Sequence, residues 1–253
     1  GKPAMINEAL QHLFILAPKH IKKMGYVKES IAIEARAKRC QQSWAPHLEE
    51  CKKQILAATS KLAPGSTIML LGSGGLHDVP MEDLREFKLI CVDIVHLPET
   101  IKLYPDVEFI NKDVTGVIEP LYKAVKNKNT FFPDPDWILA KRPNLIISLN
   151  ILSQLALKPV GFAKRHKYEL GDFFHDNILK AHVNWLKRQK TNVLMISDIN
   201  RDYYQGEKLI ETEAAIPTLD IGAPKDTWNW DVAPKGEVDN KINIRHVVGA
   251  WEF

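Results

Sequence analysis

The sequence is poor in cysteine: Cys40, Cys51 and Cys91 are the three among 253 residues, and none forms a CxxC pair. An odd, scattered set does not suit a secreted disulfide framework and fits a reducing compartment. The nine histidines show no HxxH or HExxH spacing, so no metal centre is expected. No apolar run reaches the roughly 18 residues a membrane span needs. The longest, Leu145 to Leu157, is broken by serine, asparagine and glutamine. The first residues lack the basic region, apolar run and small-residue cleavage site of a secretory leader, so the expectation is a cytoplasmic protein without a membrane segment. Net charge is only +3, which argues against a nucleic-acid partner, since duplex binding needs a concentrated basic face. The charge is nonetheless uneven. Residues 1–65 hold 11 Lys/Arg against five Asp/Glu, and Lys158 to Lys190 hold eight against three, leaving the remainder acidic.

With 45% hydrophobic and 26% charged residues, the chain has the composition of an ordinary globular domain. From Met5 to Leu62 the only glycine is Gly25 and the apolar residues recur at helical spacing. Trp44, Leu48, Cys51, Ile55, Ala58 and Leu62 form one face of an amphipathic helix. Pro46 is placed in its first turn, where the missing N–H is tolerated, and Ala63-Pro64-Gly65 ends it. The pattern then changes to short runs rich in Ile, Leu and Val at Ser66 to Leu71, Leu89 to Asp93, Val107 to Ile110, Leu145 to Leu149 and Val193 to Ser197. Helical stretches are predicted at Pro80 to Phe87, Pro98 to Leu103, Ile118 to Lys126 and Gly171 to Lys190. Such alternation implies βαβ units and a parallel sheet covered on both faces. Thr227 to Ala233 and Ile244 to Phe253 read as a closing antiparallel pair. Asn127 to Pro143 and the basic Leu157 to Leu170 read as long functional loops.

The most informative segment joins a buried strand to a glycine turn, Thr67-Ile68-Met69-Leu70-Leu71-Gly72-Ser73-Gly74-Gly75-Leu76-His77-Asp78-Val79-Pro80. The next strand ends at Asp93, 21 residues after Gly72. In doubly wound sheets an acid at that spacing accepts hydrogen bonds from ribose hydroxyls. The plainer alternative is a tight turn and a helix-capping acid. A dinucleotide fingerprint wants glycine at the sixth position, where this chain has His77, and a free helix N-terminus for the pyrophosphate, where it has Asp78 and Pro80. These features favour a nucleoside without a diphosphate.

On these residues the chain resembles the class I S-adenosylmethionine-dependent methyltransferases. Leu70 to Gly75 is similar to their glycine-rich first motif, Asp93 to their ribose-binding acid, and Phe109-Ile110-Asn111-Lys112-Asp113-Val114 to their third-strand region. Pro143 to Leu155 is similar to the fourth-strand motif that lines the methyl-donor pocket. The acid often found two residues before the first glycine is Leu70 here, and Leu76 stands where the family often has glycine. The resemblance implies a Rossmann-like, seven-stranded, mostly parallel sheet with an antiparallel last strand at residues 63–253, preceded by a helical extension at residues 1–62. It further implies S-adenosylmethionine as cofactor, held by Gly72, Ser73, Gly74, Gly75, Asp93, Ile94, Asp113, Val114 and Asn150. Methyl transfer to an oxygen or nitrogen of a small molecule would follow.

His77 and His96 fall where ligand and solvent should meet and are the candidate general bases; surface or capping histidines are the alternative. Arg36, Trp44, His47, Gln154 and Arg201 are the candidate acceptor side, with core-edge hydrogen bonding or a solvated face as the alternative. The two basic segments, taken as its lid, predict an anionic acceptor. Two other functional readings stay open: a nicotinamide-dependent oxidoreductase, and a non-catalytic nucleoside-binding protein on the same scaffold.

Overall fold

The computed structural model of the protein describes residue 8 and residues 11–12, 15–128, 137 and 139–253. Ahead of the sheet, the described residues include α1 (Lys19–Lys23), α2 (Tyr26–Arg39) and α3 (Gln41–Thr59). On α3, Trp44, Cys51 and Ile55 are buried and Leu48, Ala58 and Leu62 line the same side half-buried, as a stripe spaced by three and four requires. The helix starts earlier than expected, at Gln41, so Pro46 lies in its second turn. The donor it lacks would have met the carbonyl of the exposed Gln42, which water can satisfy.

The alternating region follows as β1 (Thr67–Leu71), a 3-10 turn at Met81–Leu84, β2 (Lys88–Asp93), α4 (Pro98–Leu103), β3 (Glu108–Asn111), α5 (Ile118–Asn127) and β4 (Leu145–Leu149). A second 3-10 turn (Leu152–Gln154), α6 (Leu157–Arg165) and α7 (Phe174–Arg188) lead into β5 (Asn192–Gln205), β6 (Lys208–Ala214), β7 (Asp226–Ala233) and β8 (Ile242–Glu252). The sheet runs β3-β2-β1-β4-β5-β8-β7, with β6 paired to β5 off this path. The first five strands are mutually parallel. The last strand, β8, is antiparallel to both neighbours. This is the Rossmann-like arrangement with a reversed last strand, and it differs from the all-parallel 3-2-1-4-5-6 order of dinucleotide-binding sheets.

Side chains alternate across the sheet with period two. Ile68, Leu70, Ile147, Leu149, Leu194 and Ile196 face α3 and pack on Cys51 and Ile55. Met69, Leu71, Ile146, Val193 and Met195 face α5, α6 and α7. Met24, Val27 and Ile31, from the end of α1 through α2, join this second layer against Val92, Val95, Val114 and Leu152.

Three expectations are corrected. The helix at Pro80 to Phe87 reduces to one 3-10 turn, because the stretch after Gly72 is taken up by a chain of turns that buries Leu76, Val79 and Leu84. The basic loop at Leu157 to Leu170 is helical over α6, where Phe162 and Ala163 bury one face. The sheet has eight strands among the described residues, not seven: β5 continues to Gln205 and turns back through Gly206 into β6. β6 is exposed along its whole length, so it carries no buried apolar run to betray it. The Asn127 to Pro143 loop falls mostly outside the described residues.

Gly72 sets the turn out of β1. Its φ is +81°, and a Cβ there would lie 1.8 Å from Ile151 Cγ2 and 3.0 Å from the Leu149 carbonyl oxygen. Gly74, at φ +50°, has nothing within 4 Å of the same position. Gly72→Ala should therefore destabilise the fold by at least about 3 kcal/mol, left-handed strain plus the clash, against about 1 kcal/mol for Gly74→Ala. Equilibrium denaturation of both variants checks this; equal losses would show that the Ile151 contact does not set the turn.

Candidate functional site

The carboxyl ends of parallel strands are where ligands bind in open α/β sheets, and here they gather two groups of polar residues. The first surrounds the glycine turn. Asp93, at the end of β2, accepts hydrogen bonds at Oδ2 from the Gly74 N–H (3.0 Å) and at Oδ1 from the Ile94 N–H (2.8 Å). The acid thus ties the turn to the neighbouring strand, and each oxygen keeps a lone pair. Burial pushes its carboxyl upward, opposed by those hydrogen bonds and by His96. Ser73 is buried beneath the turn with its hydroxyl 3.2 Å from His96 Nε2. His96 Nδ1 lies 2.7 Å from Asn111 Oδ1, and the ring packs edge-on to Phe109. His96 is therefore a buried brace rather than the rim histidine expected from sequence. Asp113 follows β3 and receives the Thr115 N–H, the Thr115 hydroxyl and the Ile118 N–H, which makes it the cap of α5. Val114 is buried beside it.

The second group lies at the end of β4 and midway along β5, just past its parallel pairing with β4. Asn150, at φ +55°, donates Nδ2 to Asp78 Oδ2 (3.1 Å); burial raises the Asp78 carboxyl. Asp198 on β5 receives the Ser153 hydroxyl at Oδ2 (3.2 Å), and His246 Nδ1 stands 3.0 Å from the same oxygen, off the angle of a good hydrogen bond. Arg201 is held by the Ser153 carbonyl (3.3 Å) and Glu213 (3.2 Å). From α3, His47 stacks on Trp230 with ring centroids 4.0 Å apart, and its Nδ1 accepts the Trp228 indole N–H at 2.9 Å. That bond fixes the tautomer, and burial lowers the ring's pKa to about 3, so His47 is neutral at physiological pH. Trp44 packs edge-on to Trp230 and donates to the Val232 carbonyl.

Sequence reasoning placed Asp198 beside Asn150 and Arg201 over the fourth and fifth strands, and missed Ser153 and His246 as its neighbours. Ser153 sits next to Gln154, which is exposed on the same turn, and β8 lies next to β5 only once the sheet is assembled. Asp198 carries the one readable signal, an acid directly after a buried apolar run.

α2 crosses both groups. Near its start Lys158 of α6 pairs with Glu29 (3.3 Å). Mid-helix, Glu34 meets His77 of the glycine turn at 2.8 Å. At its end Arg39 forms a 2.6 Å pair with Glu237, between β7 and β8, with Arg36 3.6 Å from the same carboxylate. α2 thus touches the glycine turn as well as α6 and the segment between β7 and β8. Among the described residues no group of three His, Cys, Asp or Glu could hold a metal ion, and no helix is long and apolar enough to cross a membrane.

No sequence-family model matches the chain, and no curated protein matches it either. Solved structures do. The N-methyltransferase NodS from Bradyrhizobium japonicum, in complex with S-adenosyl-L-homocysteine, is 9% identical over 81% of this chain and 85% of its own, with a TM-score of 0.39. The Burkholderia thailandensis 1,6-didemethyltoxoflavin-N1-methyltransferase is 13% identical over 88% and 89%, with a TM-score of 0.41. TehB from Haemophilus influenzae is 10% identical over 79% and 61%, with a TM-score of 0.43.

The His77–Glu34 pair is pH-sensitive in a defined direction. The Glu34 hydrogen bond raises the His77 pKa, and the same bond lowers the Glu34 pKa. The histidine's contribution to stability is full below its ordinary value of about 6.5 and fades as pH rises through the raised folded value. The glutamate's is full above about 4.5 and fades as pH falls through the lowered one. The pair therefore supports the fold most between about pH 4.5 and 6.5. His77 is 44% exposed, so solvent screening holds this to less than about 1 kcal/mol, whereas truncating buried Ile31 should cost about 2–5 kcal/mol. Thermal melts of Glu34→Ala should show a small deficit inside that window, vanishing at higher pH. Ile31→Ala should lose more at every pH; the reverse ranking would mean that charge, not packing, holds α2.

Proposed function

We propose that the protein transfers a methyl group from S-adenosylmethionine to an oxygen or nitrogen nucleophile of a small molecule. One observation carries the reading: at the carboxyl edge of a 3-2-1-4-5 parallel sheet, the glycine turn is joined to the acid of the second strand by the Gly74–Asp93 hydrogen bond. The donor set fits the nucleoside. Gly74 leaves open space where a Cβ would stand, and Asp93 keeps lone pairs for ribose hydroxyls. In this reading Gly72, Ser73, Gly74, Gly75, Asp93 and Ile94 hold the ribose side, Asp113 and Val114 border the base, and Asn150 stands where donor and acceptor meet. Bound there, S-adenosylmethionine would supply a methyl carbon on a positively charged sulfur, already a good leaving group.

The protein's own work is then alignment and exclusion of water. His77 is the exposed histidine beside the turn, while His96 acts through the turn it braces. Residues 1–62 serve as the covering element and 63–253 as the sheet domain, with α3 of the former packed on the sheet. The reversed β8 and the single 3-10 turn after the glycines weigh against the nicotinamide reading, because no helix N-terminus is offered to a pyrophosphate.

Asp93→Ala should weaken binding of S-adenosylhomocysteine about 10- to 100-fold, the equivalent of about 1.5–3 kcal/mol for hydrogen bonds to a charged acceptor. Isothermal calorimetry of wild type and variant checks it. Unchanged affinity would leave Asp93 a purely structural tie. Binding without turnover on any acceptor would favour the non-catalytic reading.

A further inference from the structure

The cluster at the end of β4 and the middle of β5 is short of donors. Asp198 is 2% exposed; its Oδ2 is engaged by Ser153, yet its Oδ1 has no hydrogen-bond partner. The Asn150 Oδ1 is likewise buried and unpartnered, because the amide turns its Nδ2 toward the Asp78 carboxyl. A buried carboxylate oxygen without a partner is strongly disfavoured unless a donor reaches it. The surrounding cations are engaged elsewhere. Arg201 sits on Glu213 and the Ser153 carbonyl, Arg36 and Arg39 on Glu237, and Lys158 on Glu29. His47 is committed as an acceptor of the Trp228 N–H. The unpartnered donors beside them are Arg36 Nε, drawn to Glu237 at 3.6 Å, the neutral Trp230 Nε1, and His246 Nδ1, which stands 3.0 Å from Asp198 Oδ2 rather than Oδ1.

We propose that the acceptor molecule is a small amine, bound in its ammonium form with its N–H groups directed to Asp198 Oδ1 and Asn150 Oδ1; one N–H proton passes to the Asp198 carboxylate and frees the nitrogen lone pair that accepts the methyl group. This deepens the methyl-transfer reading and rests on it. It also replaces the anionic acceptor expected from the basic segments, whose charge at this edge is taken up by Glu29 and Glu237. The rings of Trp44, Trp228 and Trp230 give the site an apolar side, which suits an ammonium on an aromatic or aliphatic body.

Three probes of nearly equal shape separate the possibilities: benzylammonium, benzyl alcohol and benzoate, titrated calorimetrically into the full-length protein with and without S-adenosylhomocysteine. Benzylammonium should bind at least tenfold more tightly than the other two. Asp198→Asn should weaken it at least tenfold while leaving S-adenosylhomocysteine affinity unchanged. Benzoate or the alcohol binding as well as the ammonium, binding of none of the three, or an Asp198→Asn protein that keeps its ammonium affinity would each overturn the proposal. The wild-type series decides even if that variant does not fold. Ammonium binding by a protein that takes no S-adenosylhomocysteine would refute methyl transfer and leave the amine site standing.

Discussion

The site depends on a close crossing of two chain segments. β1 and β4 are neighbours in the sheet, and the turns that leave them meet where Gly72 faces Ile151 and the Leu149 carbonyl, with no room for a Cβ. That contact fixes the glycine turn relative to Asn150, whose own positive φ bends the chain away from β4. From the turn, the Gly74 N–H reaches Asp93. From Asn150, the next turn carries Ser153 to Asp198. Both polar groups at the carboxyl edge therefore hang on one backbone crossing, and their separation is set by the spacing of adjacent strands rather than by flexible side chains.

Over this edge lies α2, and the balance of forces on it is uneven. Its ion pairs with Lys158, His77 and Glu237 are partly exposed and contribute little each. Val27 and Ile31, with Met24 just ahead of the helix, are buried in the same layer as Val92 and Leu152, and each such side chain contributes about 1.5–3 kcal/mol. The ion pairs set where the helix lies along the edge; the apolar face holds it down. A ligand that enters beneath it must offset packing, so coupling between binding and the position of α2 follows from this arrangement.

Much of this was legible in the sequence where a physical rule leaves one outcome. The ends of β4 and of α4 coincide with the predicted ones, because a both-sides-buried strand needs a continuous apolar run and a helix can begin at Pro98. The glycine turn and Asp93 were readable because spacing alone places them together. Three things were hidden. β6 and the outer half of β5 carry no buried apolar run. The 3-10 turn at Met81 replaced a helix because tertiary burial of Leu76, Val79 and Leu84 overrides local propensity. The Asp198–Ser153–His246 contacts join residues from a strand, a turn and a strand more than 40 positions away, and no periodicity reports such a meeting.

Amide hydrogen exchange with saturating S-adenosylhomocysteine tests whether one nucleoside seats at the glycine turn beneath α2. Added protection is expected at residues 72–75, at Ile94 and along α2, with little change in β6. Protection confined to other segments, or none at all while the ligand is bound, would contradict that placement.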